Sequence, residues 1–376
     1  MRASLDRPVR GAIPVPAGIQ GRAPLAAPRL APDAPPLALT DVGGDPSIAA
    51  LTARLGAMTT PELVTLVASG ESGLVDLDAL AKRLHQAKPG STLRVPFLAV
   101  RPGQTQLSFT RAREKVPKLL KALAENDVKK DLGRALRLLD AEKMPVVLGP
   151  GGLVVLLDGH HKSAGLKMLL GFADQLYAHE LPMLKKKAGP LARLHGAKRD
   201  VDVDVVANLT HLDEAAFWTA LAESDDPDLQ LYLARRDGTV AAHPPAQYAE
   251  LEDHPYRGLA GDTVGKVEKD GKKWKVDGPT HPLWLKGPEE QNFVDFAVGA
   301  VLAEVDAKLG KTYAPGDVIA KKRRVAFAEG LASAQADPNH AQHDRLAGLV
   351  ILDGKTTAKS LAKKVDVDDG RVVLRG

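Results

Sequence analysis

Apolar positions recur at two periods along this chain, and each period marks elements. Residues 201–209 alternate apolar and polar and predict a strand. Residues 93–100 predict another, with a turn at Arg101-Pro102-Gly103. Two short apolar runs, 146–148 and 153–157, flank Gly149-Pro150-Gly151-Gly152 and predict a hairpin. Helical spacing predicts the remaining elements. Ile48, Leu51 and Leu55 share one face, as do Leu63, Leu66 and Val67 after the cap-like Thr60-Pro61-Glu62. Leu80 and Leu84 mark a short helix behind Asp76 and Asp78. Leucines at 119, 120, 123, 132, 136 and 139 predict helices over 110–126 and 131–142. Ala164, Met168 and Leu169 predict a helix ending at Gly171. Residues 213–223 and 290–308 predict two more, and the last 60 or so residues read as charged helix trailing into a polar tail.

Aromatic placement refines this picture. None of the 15 precedes Phe97, and 13 lie between residues 97 and 296, so the main core is expected there. Residues 1–44 hold eight of the 27 prolines and no period, which predicts a disordered leader. The expected organisation is that leader, a small helical segment over 45–92, a core domain over 93–305 and a helical extension over 306–376. The expected class is α/β (α+β), with mixed short strands and helices.

Composition excludes several functions. Without cysteine there is no disulfide, thiolate metal site, iron–sulfur cluster or cysteine nucleophile. No apolar run approaches the ~20 residues of a membrane helix, so no membrane partner is expected. With no apolar leader run either, a cytoplasmic location is expected. The net charge of +4 permits nucleic-acid or nucleotide binding without demanding it.

The chemistry concentrates where the hairpin runs into Asp158-Gly159-His160-His161-Lys162 and then a helix. The first N–H groups of a helix lack internal partners, and the helix dipole is positive there. A glycine admits close approach, and two histidines and a lysine add donors and charge, which suits a phosphate. The same pattern is satisfied if Asp158 only caps the helix and the histidines lie on the surface. Other candidates are His340 with His343, the run Lys321-Lys322-Arg323-Arg324, and the stretch 181–199, which has six basic and no acidic residues. A solvated surface is the simpler reading of each.

The segment from Pro145 to Lys162 resembles the signature of the ParB-like nuclease family, within the ParB/sulfiredoxin superfamily. Lys162 stands where arginine is usual, keeping the charge but losing the bidentate fork. Arg101-Pro102-Gly103-Gln104 resembles an upstream motif, with Gly103 in place of threonine. Lys115 falls where the next helix usually carries a lysine. Asn208-Leu209 through Phe217-Trp218, and residues 253–260, resemble two further motifs, so the likeness runs over residues 93–305.

The resemblance implies a small α/β fold whose helix start holds nucleotide phosphates. His161 and Lys162 then match the phosphate-binding positions and His160 the sulfiredoxin cysteine position; without cysteine, sulfinic-acid reduction is excluded. The implied partner is the phosphate of a nucleotide or nucleic acid, with Mg²⁺ and a nucleoside triphosphate or diphosphate as implied cofactors. Expected catalytic groups are His160, His161, Asp158 and Gln104. Expected binding groups are Gly159, His161, Lys162, Ser163, Arg101 and Lys115. Phosphodiester cleavage or phosphoryl transfer is expected, the alternative being a non-catalytic, partition-like nucleotide- or DNA-binding module. No protein-only metal site is expected, because no Cys or carboxylate set completes the paired histidines. Tyr256 and Arg257 either seal the pocket or pack the core.

Overall fold

A computed structural model describes residues 48–125, 144–184, 200–224, 226–236, 239–270, 273–286, 294–314, 317–361, 363–368 and 371–375. All of them fall in one compact unit, Pro35–Gly376. The expected leader 1–44, the helix 131–142 and all but residues 181–184 of the basic stretch 181–199 lie outside the described residues.

The main sheet has the order β1-β6-β4-β5-β2. Its strands are β1 (Thr92–Pro96), β2 (Val100–Pro102), β4 (Met144–Leu148), β5 (Val154–Leu156) and β6 (Asp200–Asn208). The alternation over 201–209 and the 146–157 hairpin both form as the pattern predicts: β4 and β5 pair antiparallel, and β6 buries Val201, Val203 and Val205. The single strand expected over 93–100 does not form. It is β1 and β2 at opposite edges of the sheet, joined by the 3-10 turn Phe97–Ala99. Pro96 has no N–H to extend the β1 ladder, and Phe97 and Ala99 turn inward. Three residues can connect the two edges only if the sheet curls. Arg101 and Pro102, expected in a turn, belong to β2.

Helices α1 (Ile48–Ala57), α2 (Thr60–Gly70) and α3 (Leu77–His85) precede the sheet. The cap of α2 is Thr59, one residue earlier than expected, and Glu62 accepts from the Thr59 N–H at 2.6 Å. The helix expected over 110–126 is α4 (Phe109–Arg113) and α5 (Val116–Glu125), because Pro117 cannot donate back to the preceding turn.

The helix after the hairpin, α6, runs His160–Leu184 and does not stop at Gly171. Gly171 serves a helix crossing instead. A Cβ there would lie 2.0 Å from the Leu66 carbonyl oxygen, and one on Gly70 would lie 1.9 Å from that of Lys167. The α2 and α6 backbones therefore touch. Beside the crossing, Lys167 is 1% exposed and pairs with Glu71 at 3.0 Å. Its ammonium also stands 4.8 Å and 4.9 Å from the Phe97 and Tyr248 ring centres. Glu71 further accepts from the Tyr248 and Ala249 N–H groups. One core holds Leu66, Leu80 and Leu84 together with Val95, Phe97, Phe109, Val146, Leu156, Leu169 and Val203. The opposite face of the hairpin packs Val147 and Val155 on Phe217 and Trp218 of α7 (Glu214–Ala222).

The short strands β3 (Gln106–Leu107) and β7 (Glu252–Asp253) pair in parallel and lead into α4 and α8 (Pro255–Thr263). A second sheet follows, from β8 (Val264–Asp270), β9 (Lys273–Asp277), β10 (Trp284–Lys286) and β11 (Val350–Ile351). Helices α9 (Val294–Lys308), α10 (Lys321–Ala336) and α11 (His343–Leu346) share a core around Trp284, Val298, Leu302 and Phe327. The polar tail is a correction too. After α12 (Ala358–Leu361), β12 (Val365–Asp368) and β13 (Arg371–Leu374) form a hairpin, and Val365 and Val372 bury against Leu285 and Leu352. Among the described residues no helix is long and apolar enough to cross a membrane.

Candidate functional site

The hairpin delivers the chain to α6 through Gly159, whose φ of 86° suits glycine. The Asp158 side chain is exposed and accepts from the Gly159 N–H at 2.6 Å, so it steadies the turn. His160 opens the helix but points inward. It is 3% exposed, and its Nε2 accepts from the Gly103 N–H at 2.9 Å. Burial and then the Arg257 charge lower its pKa to about 3, against the opposing Leu156 carbonyl. His160 is therefore neutral, and its Nε2 lone pair is engaged.

His161 is placed differently. Its Nε2 is buried and has no hydrogen-bond partner. Burial, followed by the charges of Arg257, Arg111 and nearby groups including Lys115, holds its pKa well below the ordinary value. Lys162 follows in the first turn. Ser163 is buried, and its N–H closes that turn onto the Gly159 carbonyl at 3.0 Å.

Lys115 comes to this helix start through a glycine. A Cβ on Gly165 of α6 would lie 2.6 Å from the Ala112 carbonyl oxygen and 3.3 Å from Lys115 Cβ. The end of α4 thus rests on α6, with the Lys115 stem alongside. Burial lowers the Lys115 pKa, and the charges of Arg111, Lys118, Lys162 and Lys266 lower it further. Arg101 and Gln104 flank Gly103. Arg101 pairs with Val155 in the β2–β5 ladder. Gln104 is wholly buried, and neither its Nε2 nor its Oε1 has a partner.

Arg257, which the sequence offers either to seal the pocket or to pack the core, lies beside this group. It is 8% exposed on α8. Its Nε donates to Asp295 at 2.7 Å, its Nη1 donates to the Gln106 carbonyl at 3.3 Å, and its guanidinium stacks 3.7 Å from the Phe296 ring centre. Arg257 is the largest charge effect on His160, His161 and His254. His254 caps α8 by accepting from the Arg257 N–H at 3.1 Å, and burial first of all lowers its pKa to about 4. In sequence, Arg257 is a candidate only through the 253–260 motif, which leaves pocket and core open for it. Its neighbour Tyr256 belongs elsewhere, donating to Asp306 at 2.8 Å and accepting from the Tyr313 N–H.

The outlying candidates do not join the site. Arg323 is bound to the wholly buried Asp306, and Arg324 donates to the Ile319 carbonyl, so half of the 321–324 run is structural. His340 Nε2 stands 3.1 Å from Glu304. Among the described residues, no three His, Cys, Asp or Glu side chains converge as a metal site.

Residues 93–275 match the family described as "Putative ParB-like nuclease". The match includes every residue of the helix start described above. No curated protein matches the chain. Among solved structures, the crystal structure of protein Atu1540 from Agrobacterium tumefaciens is similar at 19% identity, over 65% of this chain and 93% of that one, with a TM-score of 0.33.

Proposed function

We propose, from the match of residues 93–275 to the family described as "Putative ParB-like nuclease" and from the geometry of the helix start, that the start of α6 binds phosphate of a nucleotide or nucleic acid for phosphodiester cleavage or phosphoryl transfer. One observation carries this reading. The buried, unpartnered Nε2 of His161 lies in the combined field of Arg257, Arg111 and Lys115. A buried, unmatched polar atom is costly. An anion at the helix start offsets that cost, and the positive end of the helix dipole favours it.

The residues divide the work. Lys162 and Lys115 supply positive charge, and Arg257 supplies a further one held by Asp295 and Phe296. His161, neutral at pH 7, offers Nε2 as a hydrogen-bond donor to a phosphate oxygen or as an acceptor for a proton, depending on its tautomer. His160 is a positioning residue, since the Gly103 N–H occupies its Nε2. Mg²⁺, when brought in by a phosphate ligand, supplies charge neutralisation. Among the described residues, no three carboxylate or histidine side chains converge to hold it.

A second reading has its own support. With the His160 lone pair engaged, His161 is left as the nearest acid–base group, which favours a non-catalytic binder. The deciding assay incubates the purified protein with nucleoside triphosphates and with DNA, and follows both binding and product release. The His161→Ala and Lys162→Ala variants should lose binding and turnover together. Binding without product in the wild type selects the binder. Full binding in both variants contradicts the phosphate site itself.

A further inference from the structure

No sequence motif includes Tyr232, yet two parts of the site meet at it. Its backbone runs parallel beside Gln104. The Tyr232 N–H donates to the Gly103 carbonyl at 3.2 Å, and the Tyr232 carbonyl accepts from the Thr105 N–H at 2.9 Å. Two residues on, the Ala234 carbonyl accepts from the Gln106 side-chain amide at 3.0 Å. Gly103 allows this closeness: a Cβ there would lie 2.2 Å from the Leu156 carbonyl oxygen and 3.2 Å from a Leu231 methyl. Residues 103–106 are thus held along one side by residues 231–234. The N–H of the same Gly103 holds His160. Through Gly103, then, Tyr232 is connected to the first residue of α6.

The ring makes the second connection. It is 6% exposed and stacks on Phe296 of α9, with ring centres 3.7 Å apart and planes at 20°. The Arg257 guanidinium stands 3.7 Å from the same Phe296 centre. Two flat groups at that distance cannot share one face of a ring, so Phe296 lies between Arg257 and Tyr232. Asp295, the neighbour of Phe296, accepts from Arg257 Nε at 2.7 Å. A guanidinium tied by a carboxylate at its edge and pressed on its face by a stacked pair loses its freedom to turn.

We infer that Tyr232 is a positioning residue of the helix start: its backbone sets the Gly103 segment that holds His160, and its ring backs the Phe296 face on which Arg257 is fixed. This role stands apart from the phosphate reading and rests on it only for what the two groups bind. The Arg257 charge reaches both His160 and His161, so a change at Tyr232 acts on groups it does not touch. Removing the ring leaves the Tyr232 N–H and carbonyl in the chain but takes away the packing that keeps them in register.

The test is nitrogen NMR of the full chain, labelled at arginine and histidine, at pH 7.5. In the wild type, Arg257 should give separate Nη signals, the mark of a guanidinium that does not turn about its Nε–Cζ bond. His160 should show the Nδ1–H tautomer, with an accepting Nε2. Tyr232→Leu should merge the Arg257 Nη signals and shift the His160 Nε2 signal. Tyr232→Phe keeps the ring and should restore both, which a role in bulk stability alone does not require. Calorimetric titration with inorganic phosphate should show at least about fivefold weaker binding by Tyr232→Leu than by the wild type or Tyr232→Phe. Merged Arg257 signals in the wild type overturn the inference whether or not Tyr232→Leu folds. Wild-type signals retained in a folded Tyr232→Leu overturn it as well, and so does equal phosphate binding by the two. A wild type that binds no phosphate contradicts the phosphate reading, and the nitrogen signals alone then decide the positioning role.

Discussion

The Gly103 N–H donates to Nε2 of His160 across 2.9 Å, tying the end of the edge strand β2 to the first turn of α6. A histidine that the sequence offers as an acid or base is thus a bolt between two elements. Replacing it orphans a buried N–H, which costs about 1–3 kcal/mol. His160→Ala should lose at least that much in urea denaturation, and His160→Gln should recover part of it by keeping an acceptor. Unchanged stability in His160→Ala would dissolve the bolt.

Acid should weaken the fold through the same group. His160 is lowered to about 3 and His254 to about 4, from an ordinary value of 6.5. The folded state holds both neutral, and the unfolded chain gains protons below 6.5. Their stabilisation is therefore complete above pH 6.5 and is lost as the pH falls towards 4 and then 3. Each contributes a slope of about 1.4 kcal/mol per pH unit within its window. Urea midpoints at pH 7.5, 5.5 and 4.5 measure this, and His254→Gln should flatten the slope. A His254→Gln slope equal to the wild type's would count against the buried neutral state.

The α2–α6 crossing makes a contrast between two glycines. Gly171→Ala drives a methyl into the Leu66 carbonyl and should destabilise by about 1–3 kcal/mol or more. Gly56→Ala in α1 meets nothing within 4 Å and should stabilise by about 0.5–1 kcal/mol. Thermal melts of the two variants should move in opposite directions.

This crossing also shows where sequence reading stops. The 201–209 alternation and the 146–157 hairpin are local patterns, and they were legible. Gly171 looks like a helix stop, because its real role depends on Leu66, about a hundred residues away. The strand expected over 93–100 divides at Pro96 for a reason visible only once both sheet edges are known. The tail strands β12 and β13 are four residues each, too short for a period to stand out. At the site, Asp158 through Lys162 were legible as a motif. The role of Arg257 and the burial of Gln104 were not, because packing of α8, α9 and the β2–β3 segment creates them.

The buried pair of Lys167 and Glu71 should behave as a unit. Lys167→Met leaves a carboxylate without its cation and should cost about 3–5 kcal/mol. Lys167→Met/Glu71→Gln should cost less than the single change, since glutamine still accepts from the Tyr248 and Ala249 N–H groups. A double-mutant cycle in guanidinium checks this. Strict additivity would mean that the pair contributes no coupling.

The central claim is that phosphate sits at the start of α6. Its most direct test is a crystal structure of the full chain with bound inorganic phosphate. The account predicts phosphate density within hydrogen-bonding distance of Lys162 and His161, over the N–H groups of the first turn of α6. Well-ordered density confined to other surfaces, with this helix start empty, would contradict it.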